Sequence, residues 1–361
     1  MSTTSDVLND DPHALVRWWL YTIAFFVAIM VLIGGATRLT DSGLSITEWA
    51  PVSGMIPPLD ATDWAIEFEK YRTTTEYQTI NKGMSLDAFK VIFWWEWGHR
   101  FLGRIVGIIA VLPLVGFWMA GKLPSWIKLP LVGMVILGGL QGFVGWWMVK
   151  SGLTERVDVS QLRLAIHLAM ACIIFVATIW LARSLAYHTE DGRPELAWQS
   201  AVLLLLLLLQ IFIGGLVAGL DAGMAYNTWP MMEGVLVPQG LFAMDPTWLN
   251  LTDNAKMVQF MHRVSAYFLW AVAFAHMLSV VRSAGGTTHS RRAVAVFLLI
   301  SAQALVGIVT LVLQVPISWA LAHQFGGVVL LAAVTAHWRA LRPKQIVASP
   351  KGFGRLNPIH G

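Results

Sequence analysis

The chain has 361 residues, of which 56% are hydrophobic and only 13% charged, and its mean hydropathy is +0.62. Soluble domains carry about 25% charged residues, so a water-soluble enzyme, a nucleic-acid binder and a disordered scaffold are excluded. The net charge of +4 sits between apolar segments and reads as membrane topology rather than polyanion binding. The single cysteine, Cys172, excludes intramolecular disulfides, Cys-ligated zinc and Cys-held iron–sulfur clusters, and its apolar neighbours predict an inert packed thiol.

A hydrocarbon layer about 30 Å thick takes ~20 apolar helical residues. Eight segments meet that length: 18–37, 93–121, 129–149, 162–182, 196–220, 257–281, 293–313 and 319–338. Asp6, Asp10 and Asp11 precede the first, and no small-x-small cleavage site follows it, so it reads as a span rather than a signal peptide. With the N-terminus inside, the inner connections hold thirteen Lys and Arg and the outer ones nine. This predicts both termini on the cytoplasmic side of the membrane. The expected organisation is an N-terminal tail 1–17, a four-helix bundle 18–182 with a long outer loop 38–92, a linker 183–195, a second four-helix bundle 196–338 and a tail 339–361. The tryptophans and prolines of the two long outer segments predict ordered caps rather than loose loops.

The two halves share a weak repeat. Ile33, Gly34, Gly35, Asp41, Gly43 and Trp49 recur at an offset of 180 as Ile213, Gly214, Gly215, Asp221, Gly223 and Trp229. His99-Arg100 corresponds to His262-Arg263, Gln141 with Gly145 to Gln303 with Gly307, and His167 to His323. Four spans per half give parallel repeats about an axis along the membrane normal. The predicted fold is therefore an all-α integral membrane protein of two side-by-side four-helix bundles.

Histidines inside spans are functional candidates. A lone one is commonly an interfacial hydrogen-bonder, but His99 with His167 and His262 with His323 lie at matched depths. Facing imidazoles across a bundle are what a six-coordinate heme iron needs, whereas zinc wants about four ligands. His276 and His337 each follow such a histidine by fourteen residues, a spacing that also suits a second heme ~21 Å deeper. The first half has Pro113 and Leu181 there instead. Glu96 precedes His99 by three and shares its helical face. Trp94, Trp95 and Trp97 are expected to exclude water from it and fit it for acid–base work, with an ion pair to Arg100 as the alternative. The second half has uncharged Gln259 at that position, so one bundle is expected to do chemistry while the other holds a cofactor. Arg38, Arg100, Arg104 and Arg263 are candidates for pairing with heme propionates, and Gln141 and Gln303 for bonds between helices.

Residues 34–46 (GGATRLTDSGLSI) with Glu48-Trp49 and Pro57-Pro58 resemble the first outer loop of the heme A synthase family. Residues 94–104 (WWEWGHRFLGR) resemble that family's Glu-x-x-His-Arg signature, and 138–142, 163–168 and 229–231 also fit. The resemblance is to the proteobacterial and mitochondrial branch; the outer-loop cysteine pairs of another bacterial branch are absent. It implies an oxidoreductase in which His262 and His323 ligate heme b as cofactor while His99 and His167 flank the substrate, heme O. Glu96 would be the essential carboxylate and Arg100 a further substrate contact. The implied reaction oxidises the C8 methyl of heme O through an alcohol to the formyl group of heme A, in a bundle open sideways to lipid. The implied partners are a heme O synthase (protoheme farnesyltransferase), the assembling terminal oxidase and an electron donor the sequence does not identify. Self-association is left open. The principal alternative is a diheme b-type electron-transfer cytochrome, favoured by His276 and His337. A heme exporter or chaperone is a third, without a nucleotide-binding motif to support it.

Overall fold

The computed structural model describes residues 11–153, 156–186 and 191–342. Asp6, Asp10, Lys344, Lys351 and Arg355, which entered the topology expectation, lie outside them. Among the described residues, eight helices are long and apolar enough to cross a membrane: α1 (Ala14–Leu39), α2 (Leu86–Met119), α3 (Ser125–Gly152), α4 (Gln161–Ser184), α5 (Pro194–Gly219), α6 (Ala255–Ser283), α7 (Thr288–Val312) and α8 (Ile317–Leu341). All eight coincide with predicted spans, and most extend past them into polar residues. The largest extension is at α2, which starts at Leu86 instead of residue 93. Ser85 caps it by accepting the Ala88 N–H at 3.2 Å. Its 34 residues reach about 51 Å, more than the hydrocarbon needs, so the first turns stand in the cap. There Phe89, Ile92 and Phe93 pack on Tyr71 and Tyr77 from the short helices Ala61–Arg72 and Thr75–Thr79. Hydropathy alone does not find those turns because protein, not lipid, covers them.

Within the first half, α1 packs on α2 and α4, and α3 on α4; within the second, α5 packs on α6 and α8, and α7 on both α6 and α8. The halves meet where α4 lies along α5 and α8 touches α1 and α4. Lipid is as apolar as leucine, so helix association rests on close packing of small residues. Gly215 and Gly219 of α5 provide it: a Cβ there would stand 2.9 Å from Ala165 Cα and 2.6 Å from Gln161 Cα of α4. The core around this seam includes Leu20, Ile127, Leu203 and Leu331, together with the buried free thiol of Cys172.

Two details position the site. Asp41 and Asp221, 180 residues apart, both take left-handed backbone (φ 47° and 48°) just past α1 and α5. Aspartate tolerates that region through local hydrogen bonds. Arg38 donates to both, at 2.9 Å to Asp41 Oδ1 and 2.7 Å to Asp221 Oδ2, tying the loop-bearing ends together. The halves also differ. α6 and α7 pack along their length, but their counterparts α2 and α3 touch sparsely, and a Cβ on Gly138, Gly139 or Gly142 of α3 would meet nothing.

Candidate functional site

Each of the four matched histidines lies against a glycine of a neighbouring helix. A Cβ on Gly34 would stand 2.8 Å from His99 Cε1, on Gly145 2.9 Å from His167 Cε1, on Gly214 3.1 Å from His262 Cε1 and on Gly307 2.6 Å from His323 Cε1. The repeat thus reproduces one device four times: a missing side chain makes room for an imidazole inside a bundle. Gly307→Ala drives a methyl into the His323 ring. The expected result is a loss of about 1–3 kcal/mol in thermal unfolding.

Glutamine amides hold three of the rings. Gln141 Nε2 lies 3.1 Å from His167 Nδ1 and donates to the His167 carbonyl at 3.0 Å. Gln303 does the same for His323, at 3.1 and 2.6 Å. Gln210 does so for His262, at 3.1 and 3.0 Å, with Ser265 in turn donating to the Gln210 amide oxygen. Gln141 and Gln303 do bond between helices, as expected, but their targets are the histidines. Gln210 escaped sequence reading; its signal is a polar residue closing the leucine run 203–209. The repeat puts Met30 where Gln210 stands, and methionine has no donor. His99 Nδ1 is accordingly buried without a hydrogen-bond partner among the described residues.

Glu96 is 3% exposed. Its Oε2 accepts from Ser45 Oγ and from the Ile46 N–H, both at 2.8 Å, and its Oε1 pairs with Arg100 at 2.6 Å. Arg100 also donates to the Ile46 and Glu48 carbonyls. The second half repeats this clamp without the charge. Gln259 donates to the Ala222 carbonyl at 2.8 Å and accepts from Arg263 at 3.1 Å, while Arg263 donates to the carbonyls of Tyr226 and Thr228. Glu96 and Arg100 therefore share the work of pinning the first outer loop to α2. Of the three tryptophans expected to enclose Glu96, Trp94 and Trp95 are exposed, because successive residues leave a helix 100° apart, while Trp97 is half-buried against the cap cluster; polar donors hold the carboxylate itself. The other arginines expected at propionates are engaged as well. Arg38 holds the two aspartates, and Arg104 donates to the carbonyls of Pro51 and Ala50. Arg104 Nη1, Arg38 Nε and Arg263 Nε remain buried without partners among the described residues.

His276 and His337 face each other at the far end of the second half, with Nε2 atoms 3.0 Å apart and His276 Nδ1 3.1 Å from Gln199 Oε1. Two metal–nitrogen bonds of about 2.0 Å on opposite faces of a porphyrin need about 4 Å. As they stand the two rings form a hydrogen-bonded pair, closer together than a porphyrin between them would allow.

A multi-pass helical membrane protein with a histidine pair in each half, and a buried carboxylate beside only one of them, is the class defined by this fold and site. A family model for cytochrome oxidase assembly proteins (COX15-CtaA) matches residues 17–335, and the chain belongs to that family. It is 56% identical over 330 residues to a heme A synthase of Chelativorans sp., covering 91% of each chain. It is 53% identical over 333 residues to that of Sinorhizobium fredii and 54% over 333 residues to that of Agrobacterium fabrum, in both cases covering 92% of this chain and 91% of the relative.

Proposed function

We propose that this protein is a heme A synthase, oxidising the C8 methyl group of heme O to a formyl group for terminal oxidases. The observation that carries the reading is the asymmetry of a duplicated site: matched histidine pairs in both halves, with a buried carboxylate in one and an amide in the other. On this reading residues 18–182 form the substrate half and residues 196–338 the cofactor half.

In the cofactor half, His262 and His323 would hold heme b, oriented by Gln210 and Gln303, with Gly214 and Gly307 leaving the space. Heme b supplies one-electron redox chemistry when bound. In the substrate half, His99 and His167 flank heme O beside Gly34 and Gly145. Turning a methyl into a formyl group changes the hydrogen count on carbon, so protons move at each stage. Glu96, one turn from His99 on the same face, would take and return them. Arg100 fixes its position, and Ser45 and the Ile46 N–H keep one oxygen as an acceptor. The sparse α2–α3 contact supports this half as the one that admits a farnesylated substrate from lipid.

The Lys/Arg distribution supports placing both termini on the cytoplasmic side of the inner membrane. The family's part in oxidase assembly supports a heme O synthase and a terminal oxidase as partners. The decisive experiment co-expresses the chain with a protoheme farnesyltransferase and extracts the membrane pigments. Heme A alongside heme O is the expected result; heme O without heme A overturns the proposal.

A further inference from the structure

The four matched histidines are not held alike. Beside His167, His262 and His323 stands a glutamine whose amide nitrogen lies 3.1 Å from the ring Nδ1 and donates to that histidine's own carbonyl. Contact with ring and backbone together limits how far each of these imidazoles can turn. His99 has no such glutamine, and its Nδ1 is buried without a hydrogen-bond partner among the described residues. Three rings are tethered and one is loose.

The difference is written twice in the sequence. Met30 stands where the repeat puts Gln210, one turn before the glycine that receives the ring. Leu102 stands where it puts Ser265, three residues past the histidine. In the second half Ser265 donates to the Gln210 amide oxygen, so that tether is built from polar side chains of α5 and α6. In the first half both members are apolar. Met30 still reaches the corresponding place: a Cβ on Gly103, one turn past His99, would stand 3.5 Å from its Cε. The room for a tether is therefore filled by a side chain that cannot donate.

A hydrogen-bonded outer shell fixes the orientation of a metal-bound imidazole and strengthens it as a ligand. An imidazole without one is the weaker member of its pair. Within the first half, His167 keeps its tether through Gln141. The loose ring is the one that shares a helical face with Glu96, and its helix α2 is the one that meets α3 sparsely.

We propose that His99 is the releasing ligand of the substrate half: it closes the site on bound heme O at rest and leaves the iron during turnover, while His167 stays bound. The proposal rests on the heme A synthase reading of this half. Only the coordinate bond between His99 and iron breaks; the imidazole keeps its electron pair, and no proton or electron moves. The side from which His99 and Glu96 both come is then open to a small diatomic ligand. The second half, with both rings tethered, stays closed.

Carbon monoxide is the probe, because it binds a ferrous heme only where an axial position opens. Full-length protein carrying heme b and heme O is reduced without oxygen in lipid nanodiscs and mixed with the gas. In wild type, heme O is expected to bind it and heme b to exclude it. Met30→Gln with Leu102→Ser gives the first half the tether of the second. Carbon monoxide binding to heme O should then slow about 10–100-fold, heme A formation should fall in step, and heme O content should be kept. Met30→Leu, which adds no donor, should match wild type in both. The reverse exchange, Gln210→Met with Ser265→Leu, should let heme b bind carbon monoxide, a readout that needs neither heme O nor turnover.

Unchanged binding and turnover in the tethered variant overturns the proposal, and so does a reverse exchange whose heme b still excludes the gas. An equal loss in Met30→Leu also overturns it, by tracing the effect to the thioether. Wild type that retains no heme O sinks the synthase reading of the first half instead. The reverse exchange then still decides whether a glutamine tether is what holds a ring on its iron.

Discussion

On the proposed assignment of the two halves, Glu96→Gln is expected to leave heme O unconverted, with heme A formation down by about 10²–10⁴-fold, while the absorption of heme b held by the second half stays unchanged. The structure makes this substitution informative because the second half already contains it. Gln259 and Arg263 pin their outer loop without a carboxylate, so the clamp itself does not need an acid. In the first half the new amide can still accept from Arg100 at 2.6 Å. Its NH2 group then meets the Ile46 N–H, donor against donor, and one buried bond is lost, at about 1–3 kcal/mol. Glu96→Ala removes the whole acceptor and strands Arg100, at about 3–5 kcal/mol, so loss of activity there mixes chemistry with unfolding. Pigment extraction and a melting curve on the same Glu96→Gln membranes separate the two. Heme A at wild-type level, or loss of heme b, would remove Glu96 from the chemistry.

On the same assignment, His262→Ala and His323→Ala should each abolish the b-type spectrum, whereas His99→Ala and His167→Ala should keep it and lose bound heme O. Each alanine leaves its glutamine, Gln210 or Gln303, without the imidazole it orients, so a neighbouring residue has little chance of substituting as ligand. Losing the heme also removes its stabilisation by mass action, about 2.7 kcal/mol at a hundredfold excess over Kd. The His262 and His323 variants should therefore melt earlier even where the helices are intact. Redox difference spectra of the four purified variants give the answer directly. Retention of the b spectrum in the His262 variant with its loss in the His99 variant would exchange the roles of the halves.

The eight spans were legible in the sequence because a run of about twenty apolar residues suits the bilayer interior and little else. The repeat was legible too, including Gly34, Gly145, Gly214 and Gly307, though as a spacing and not as contacts. That each glycine receives an imidazole requires knowing which helices are neighbours, which periodicity does not supply. Gln210 was hidden for a related reason: its counterpart is Met30, so the comparison that exposed Gln141 and Gln303 passed over it. Trp94 and Trp95 misled because residues adjacent in sequence occupy different faces of a helix.

The sparse contact between α2 and α3 bears on how cargo moves. A porphyrin carrying a long isoprenoid chain would dissolve poorly in water, and on the proposed reading entry from the acyl chains between these two helices spares it that route. Arrival and departure then become diffusion in two dimensions. The rate of supply is set by how many molecules share the same leaflet area and by the viscosity of the surrounding lipid, so the rate measured in a detergent micelle reports delivery by a different path.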